Sequence, residues 1–130
     1  MSLAACALVL IGGFFGGVAR YFLSGLIGRR AAQTFPWGTL IVNVSGAFAV
    51  GAFAGASRAL GGVFVNELFH DLVVVGLFGG YTTVSSFSLQ TLNLAIDGEN
   101  RRAAFNVVAS AGFCVVAVAA GFWAVVALMR

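Results

Sequence analysis

The chain of 130 residues has no lysine, one histidine, one proline and two cysteines, and only 8% of its residues are charged. A soluble domain carries roughly 25% charged residues, so there is too little polar surface here to coat a globule in water. The net charge of +3 comes from seven arginines against four acids. These arginines form no contiguous basic patch able to hold phosphates, which argues against a nucleic-acid partner. His70 stands in a connection with no second His or Cys at ligand spacing, and is expected to be solvated surface. Cys6 and Cys114 lie within apolar stretches and read as small packed hydrophobes rather than a disulfide or a metal site. Catalysis lacks its reagents as well. No Asp, Glu, His or Lys falls inside the apolar segments, and no phosphate-cradling glycine motif or zinc spacing is present.

What the chain does have is hydrophobic length, with 61% of its residues apolar. A helix needs about 20 apolar residues to cross a bilayer, and four segments qualify: 3–27, 38–57, 72–96 and 103–129. The expected fold is therefore an all-α membrane protein, one domain over 1–130, with four transmembrane helices. The N-terminus lacks a basic n-region, so its apolar stretch reads as a retained helix rather than a cleaved signal. An even number of spans puts both termini on one side. Arg58 and Arg130 lie on that side, against Arg29, Arg30, Arg101 and Arg102 on the other, with acids beside the last two. That bias is weak by the arginine-sidedness rule and would allow insertion both ways up, hence an antiparallel dimer.

Each span carries polar or small residues in a pattern. In the first, Gly12 and Gly16, and Gly13 and Gly17, are spaced four apart and leave one helix face bare for close packing. Arg20 lies within that span, either snorkelling to the interface or placing a fixed positive charge in a vestibule. The first connection, with Arg29, Arg30, Gln33 and Pro36, is polar and ends on Trp37, an expected interfacial anchor. In the second span Thr39, Asn43 and Gly46 share a face. An amide at Asn43 must bond across helices or line water. In the fourth, Asn106, Ser110 and Cys114 recur every four residues and form one polar track.

The third span holds the most unusual stretch, GGYTTVSSFSLQT, Gly79 to Thr91. Two adjacent glycines and a run of hydroxyls in mid-membrane predict a helix broken near 79–83. Irregular backbone is tolerated at that depth only where it is buried in protein or lines a water-filled path, so the break points to an ion or solute site. Beyond it Val84, Phe87, Ser88 and Thr91 share a stripe, with Gln90 beside them. Amides and hydroxyls donate hydrogen bonds, and aromatic ring edges are partially positive. Carbonyls freed at a break prefer a cation. Together these features read as a small-anion path beside a structural cation.

Three segments, GGFFGGVARY (Gly12 to Tyr21), WGTLIVNVSGAF (Trp37 to Phe48) and GLFGGYTTVSSFSLQT (Gly76 to Thr91), resemble in sequence and order the signature segments of the Fluc fluoride channels, also called CrcB. The resemblance implies a multi-pass protein of the cytoplasmic membrane that exports fluoride passively. It implies an antiparallel, dual-topology dimer of two identical or closely related chains enclosing two pores. It also implies a central sodium ion held by the backbone carbonyls of Gly79 and Thr82. By motif, Asn43 would be the pore amide, Phe87 a ring-edge phenylalanine, Ser110 part of the polar track and Arg20 the vestibule cation. Val84, Ser88, Thr91 and Asn106 complete the expected fluoride path.

The family pattern commonly runs TTFSTFS followed by a glutamate; here Val84 replaces a phenylalanine, Ser86 a threonine and Gln90 the acid. Val84 removes one ring edge from each pore, as in a decayed partner subunit of a heterodimeric channel. Two other readings compete. A small multidrug-type proton-coupled exporter has similar size but needs a membrane-embedded carboxylate, and the first acid here, Glu67, is expected in a loop. A non-conducting scaffold subunit would account for the glycine faces and leave the polar tracks without a reason.

Overall fold

The computed structural model describes residues 2–31 and 34–130. Gln33, counted above in the first connection, lies outside these residues. The chain is helical: α1 (Leu3–Arg30), α2 (Trp37–Leu60), a 3-10 turn (Gly62–Val65), α3 (Glu67–His70), a π-helical segment (Asp71–Phe78), α4 (Gly79–Tyr81), α5 (Val84–Ile96) and α6 (Asn100–Leu128). Together they provide four helices long and apolar enough to cross a membrane: Leu3–Arg30, Trp37–Leu60, Glu67–Ile96 and Asn100–Leu128. The protein is a multi-pass membrane protein.

The helices run beyond the apolar cores that the sequence marks, because polar residues cap and extend them. Ser2 caps α1 by accepting the Ala5 N–H at 3.1 Å, and Asn66 caps α3 through Phe69 N–H at 3.2 Å. The third helix therefore starts at Glu67, so Glu67, His70 and Asp71, expected in a loop, belong to its first turns. His70 is exposed, with its ring 6.1 Å from that of Phe53. Phe53, Phe64 and Phe69 gather around the connection, and the Ser57 hydroxyl lies 3.0 Å from the Phe53 and Phe64 carbonyls.

Small residues rather than large ones make the core. The buried apolar side chains are Ala5, Leu40, Val42, Ala56, Ala103, Ala109 and Ala117, while Leu10, Phe14, Phe22, Val108, Val115 and Trp123 all face outwards. Lipid is as apolar as these side chains, so nothing drives them inside; helices associate instead where small residues let backbones approach. At the α2–α6 crossing a Cβ on Gly51 would collide with the Val118 carbonyl, and one on Gly121 with that of Phe48. The first span uses its glycines unequally. Gly12 and Gly16 press against the π-helical segment at Leu72 and Leu77, Gly13 meets Gly80, and Gly17 touches nothing within 4 Å of its Cβ position. Cys6 also departs from expectation: it is exposed on α1, whereas Cys114 is half-buried.

The break in the third span falls at Thr82 and Thr83, both extended (φ −79°, ψ 159° and φ −150°, ψ 124°). The Gly79–Gly80 pair, from which the sequence placed it, is helical: Gly79 has φ −63° and ψ −38°. Gly80 instead permits close packing, since a Cβ there would lie 2.6 Å from the Gly13 carbonyl oxygen.

These crossings predict a graded response to a single methyl group. Gly51→Ala and Gly121→Ala are expected to cost at least about 2 kcal/mol through overpacking against rigid backbone. Gly112→Ala, with nothing within 4 Å of its Cβ, gains helix propensity instead. Thermal unfolding in detergent should show lowered midpoints for the first two and a level or raised one for the third.

Candidate functional site at the helix break

Four contacts from α1 and α2 surround the break. Asn43 makes two of them. Its Nδ2 donates to the Thr83 carbonyl and its Oδ1 accepts the Thr83 N–H, both at 2.8 Å. The amide thereby replaces both hydrogen bonds that one peptide loses on leaving a helix. The third comes from Arg20, whose guanidinium donates to the Thr82 carbonyl at 3.3 Å. The fourth is the pair of Ser45 and Tyr81 hydroxyls at 2.8 Å. Gly46, on the face shared by Thr39 and Asn43, leaves room for the Thr82 methyl and the Tyr81 ring.

On its far side the break restarts a helix. Thr83 caps α5, its Oγ1 accepting the Ser86 N–H at 3.2 Å. Two adjacent β-branched threonines favour extended backbone, and a threonine is a good N-cap. Thr83 is not among the residues singled out from sequence, although a Thr immediately before a Ser-rich helix is a recognisable start signal. Thr82 closes the preceding helix, its N–H and Oγ1–H both donating to the Phe78 carbonyl at 2.9 Å.

Beside the break opens a cavity of about 670 Å³, lined by Asn43, Gly79, Thr82, Val84, Phe87 and Ser110 among others. Most of its wall is apolar: Ala47, Val50, Val107 and Val118 also line it, with Cys114. Among the described lining residues none is charged, and Phe87 carries the only aromatic ring. Asn43 Nδ2 has a second hydrogen, since a side-chain amide nitrogen bears two.

A second cavity, of about 440 Å³, lies on the other side of Thr83. It is lined by Arg20, Ser24, Thr39, Thr83 and Ser86. Arg20 thus serves a different space from Phe87 and Ser110, with the Thr83 backbone between them. Gln90 lines a third cavity with Ser24, Thr39 and Ser86, and its Oε1 is buried without a hydrogen-bond partner.

The polar track of α6 divides. Ser110 and Cys114 reach the large cavity, whereas Asn106, 2% exposed, lies behind it. Asn106 Nδ2 donates to Thr91 Oγ1 at 2.9 Å, and Thr91 Oγ1 donates to the Phe87 carbonyl at 2.8 Å. Ser110 Oγ stands 3.5 Å from Asn106 Oδ1, at the outer limit for a hydrogen bond. This chain of bonds fixes α5 on α6 next to Phe87. Ser88 is exposed and lines none of the cavities described here.

A broken third helix pinned by an asparagine of the second, beside a cavity of neutral donors and one ring, is a specific arrangement. Comparison of the sequence with known proteins matches the chain to a family. The profile described as "CrcB-like protein, Camphor Resistance (CrcB)" covers residues 7–122. This chain belongs to the CrcB family. It is 60% identical over 130 residues to the fluoride-specific ion channel FluC 4 of Brucella abortus, covering 100% of this chain and 98% of the relative. It is 59% identical over 130 residues to FluC 3 of Brucella suis, with the same coverage. A more distant relative, FluC 2 of Rhodopseudomonas palustris, is 55% identical over 114 residues, covering 88% of this chain and 87% of the relative. CrcB proteins of this kind are named as ion channels, not enzymes, in keeping with spans that offer no acid–base pair.

The break also frees backbone carbonyls from the helix ladder. Thr83 N–H, the donor that would have continued the ladder to Gly79, is given to Asn43, and Ser86 N–H, the corresponding donor for Thr82, goes to Thr83 Oγ1. Two hard, neutral oxygens are thereby released at the negative end of a helix dipole. No group of three His, Cys, Asp or Glu suited to a metal is found among the described residues. The Arg20 contact takes up one side of the Thr82 carbonyl.

The buried Asn106 bonds give a direct test of the α5–α6 junction. Asn106→Leu keeps the branching at Cγ, adds volume, and leaves Thr91 Oγ1 without its donor. It should lower stability by roughly 1–3 kcal/mol, read as thermal unfolding of the purified protein.

Proposed function

We propose that the chain conducts fluoride passively out of the cell across the cytoplasmic membrane, as one subunit of an antiparallel dimer with two pores. The observation that carries this reading is the cavity beside the break, which Asn43, Ser110 and Phe87 line with no charged residue among its described lining. A small, strongly hydrated anion entering there exchanges water for amide, hydroxyl and ring-edge hydrogens. Neutral donors hold such an ion weakly enough to let it leave, which conduction requires. Arg20, in the neighbouring cavity, raises the local anion concentration. Relatives named as fluoride-specific channels, matched along the whole chain, support the choice of fluoride.

The second subunit completes the path. Val84 lines the cavity yet is 76% exposed, so one chain leaves that edge open. The weak arginine bias of the connections supports insertion in both orientations. In this dimer the Gly79 and Thr82 carbonyls of each copy would hold a central sodium ion, whose charge would join the two breaks at the symmetry axis. Phe87 and Ser110 flank the anion route; Thr91 and Asn106 hold the helices that carry them.

Val84 also favours a second reading, a poorly conducting partner of a related subunit, because Phe87 stands as the single ring of the cavity. A proton-coupled exporter is not supported. Glu67 and Asp71 do belong to the third membrane helix, but in its first turns, more than ten residues before Thr83.

Liposomes holding the purified protein, followed with a fluoride electrode and with chloride as control, test the proposal. Fluoride-selective efflux is expected, lost in Asn43→Asp and increased in Val84→Phe. A folded dimer that passes no fluoride overturns the self-sufficient channel, and recovery of flux in Val84→Phe alone would establish the partner-subunit reading.

A further inference from the structure

The ladder of the third span ends at a particular rung. Thr82 N–H still donates to the Phe78 carbonyl at 2.9 Å, so helical bonding continues up to that residue. The next donor is Thr83 N–H, whose i−4 acceptor in an uninterrupted helix is the Gly79 carbonyl. It donates instead to Asn43 Oδ1 at 2.8 Å. Asn43 is half-buried in the middle of α2, and its Nδ2 simultaneously takes the Thr83 carbonyl at 2.8 Å. An amide and a backbone carbonyl are competing acceptors of nearly equal strength for one N–H. In this structure the side-chain oxygen, not the carbonyl, holds that N–H.

From this geometry we infer that Asn43 is the positioning residue for the cation site: by taking Thr83 N–H it keeps the Gly79 carbonyl out of the helix ladder and free for a bound monovalent ion. The inference rests on the proposed sodium site at the break and assigns Asn43 a role separate from contact with the anion. The two oxygens of the site then depend on different side chains. Thr83 Oγ1 releases the Thr82 carbonyl by capping Ser86 N–H, and Asn43 releases that of Gly79. Removing the amide returns Thr83 N–H to Gly79 and extends α4 by a residue.

Two substitutions separate the halves of the clamp. Asn43→Asp keeps an oxygen to accept Thr83 N–H and loses the donor to the Thr83 carbonyl. Asn43→Ala loses both. The test is the thermal midpoint of the purified protein in detergent, with sodium chloride replacing choline chloride at constant ionic strength, and with fluoride efflux measured in parallel. A bound ion raises the midpoint by mass action, here by on the order of 5 °C for a chain of this size. The parent and Asn43→Asp are expected to show that rise, and Asn43→Ala a flat response. An Asn43→Ala protein that retains the parental sodium response overturns the inference. So does an Asn43→Asp protein that loses it, which decides the matter even where the alanine variant does not fold. A parent that passes fluoride without any sodium response overturns the inference and the cation site, and leaves the fluoride channel standing. A parent with the sodium response and no efflux supports the inference while counting against the channel.

Discussion

A peptide unit taken out of a helix inside a bilayer has no water to bond with, and each unsatisfied group costs several kcal/mol. One side chain meets that demand here. Asn43 supplies an acceptor and a donor to Thr83 in the geometry of a neighbouring strand, and so lets the third span break at little cost. Everything of chemical interest lies around this pair. The large cavity opens on one side of Thr83, the arginine-bearing cavity on the other, and the released carbonyls sit at the end of α4.

The clamp works only because the helices that carry its halves are held close. Backbone contacts at Gly51 and Gly121 lock α2 to α6, and Gly12 and Gly16 lock α1 to the π-helical segment. Gly46 brings α2 near enough to Thr82 and Tyr81 for a short amide side chain to reach the break. Asparagine has one methylene group, so its reach is small, and a looser crossing would leave Thr83 unsatisfied. The glycine faces are thus part of the site, although they contribute no polar group to it. On α5 the same purpose is served by Asn106 and Thr91, which tie the Phe87 turn to α6.

Much of this was legible beforehand. Four spans, the Gly12/Gly16 face, the shared face of Thr39, Asn43 and Gly46, and a break in the third span all follow from hydropathy and a 3.6-residue period. The misplaced details share a cause. A break near 79–83 is expected from the glycine pair and the hydroxyl run, and it falls at the threonine end of that stretch; packing of Gly80 against Gly13 goes with a helical glycine pair, and tertiary contact overrides propensity. The third span is expected to start at Leu72 and starts instead at Glu67, because a cap such as Asn66 carries the helix through charged residues. Cys6 is expected to pack because apolar residues bury themselves in water-soluble proteins, whereas on a membrane helix the outward face is equally apolar.

By itself the sequence determined the class of the protein and its polar inventory: so little charge leaves no alternative to lipid, and local periodicity puts the polar groups on particular helix faces. What only the tertiary structure decided is which of those groups meet. Asn43 and Thr83 are separated by 40 residues, and Arg20 and Thr82 by 62. No local pattern links them. Their pairing depends on how α1 and α2 cross the third span, and that is set by backbone-to-backbone contacts whose partners become visible only once the helices are packed.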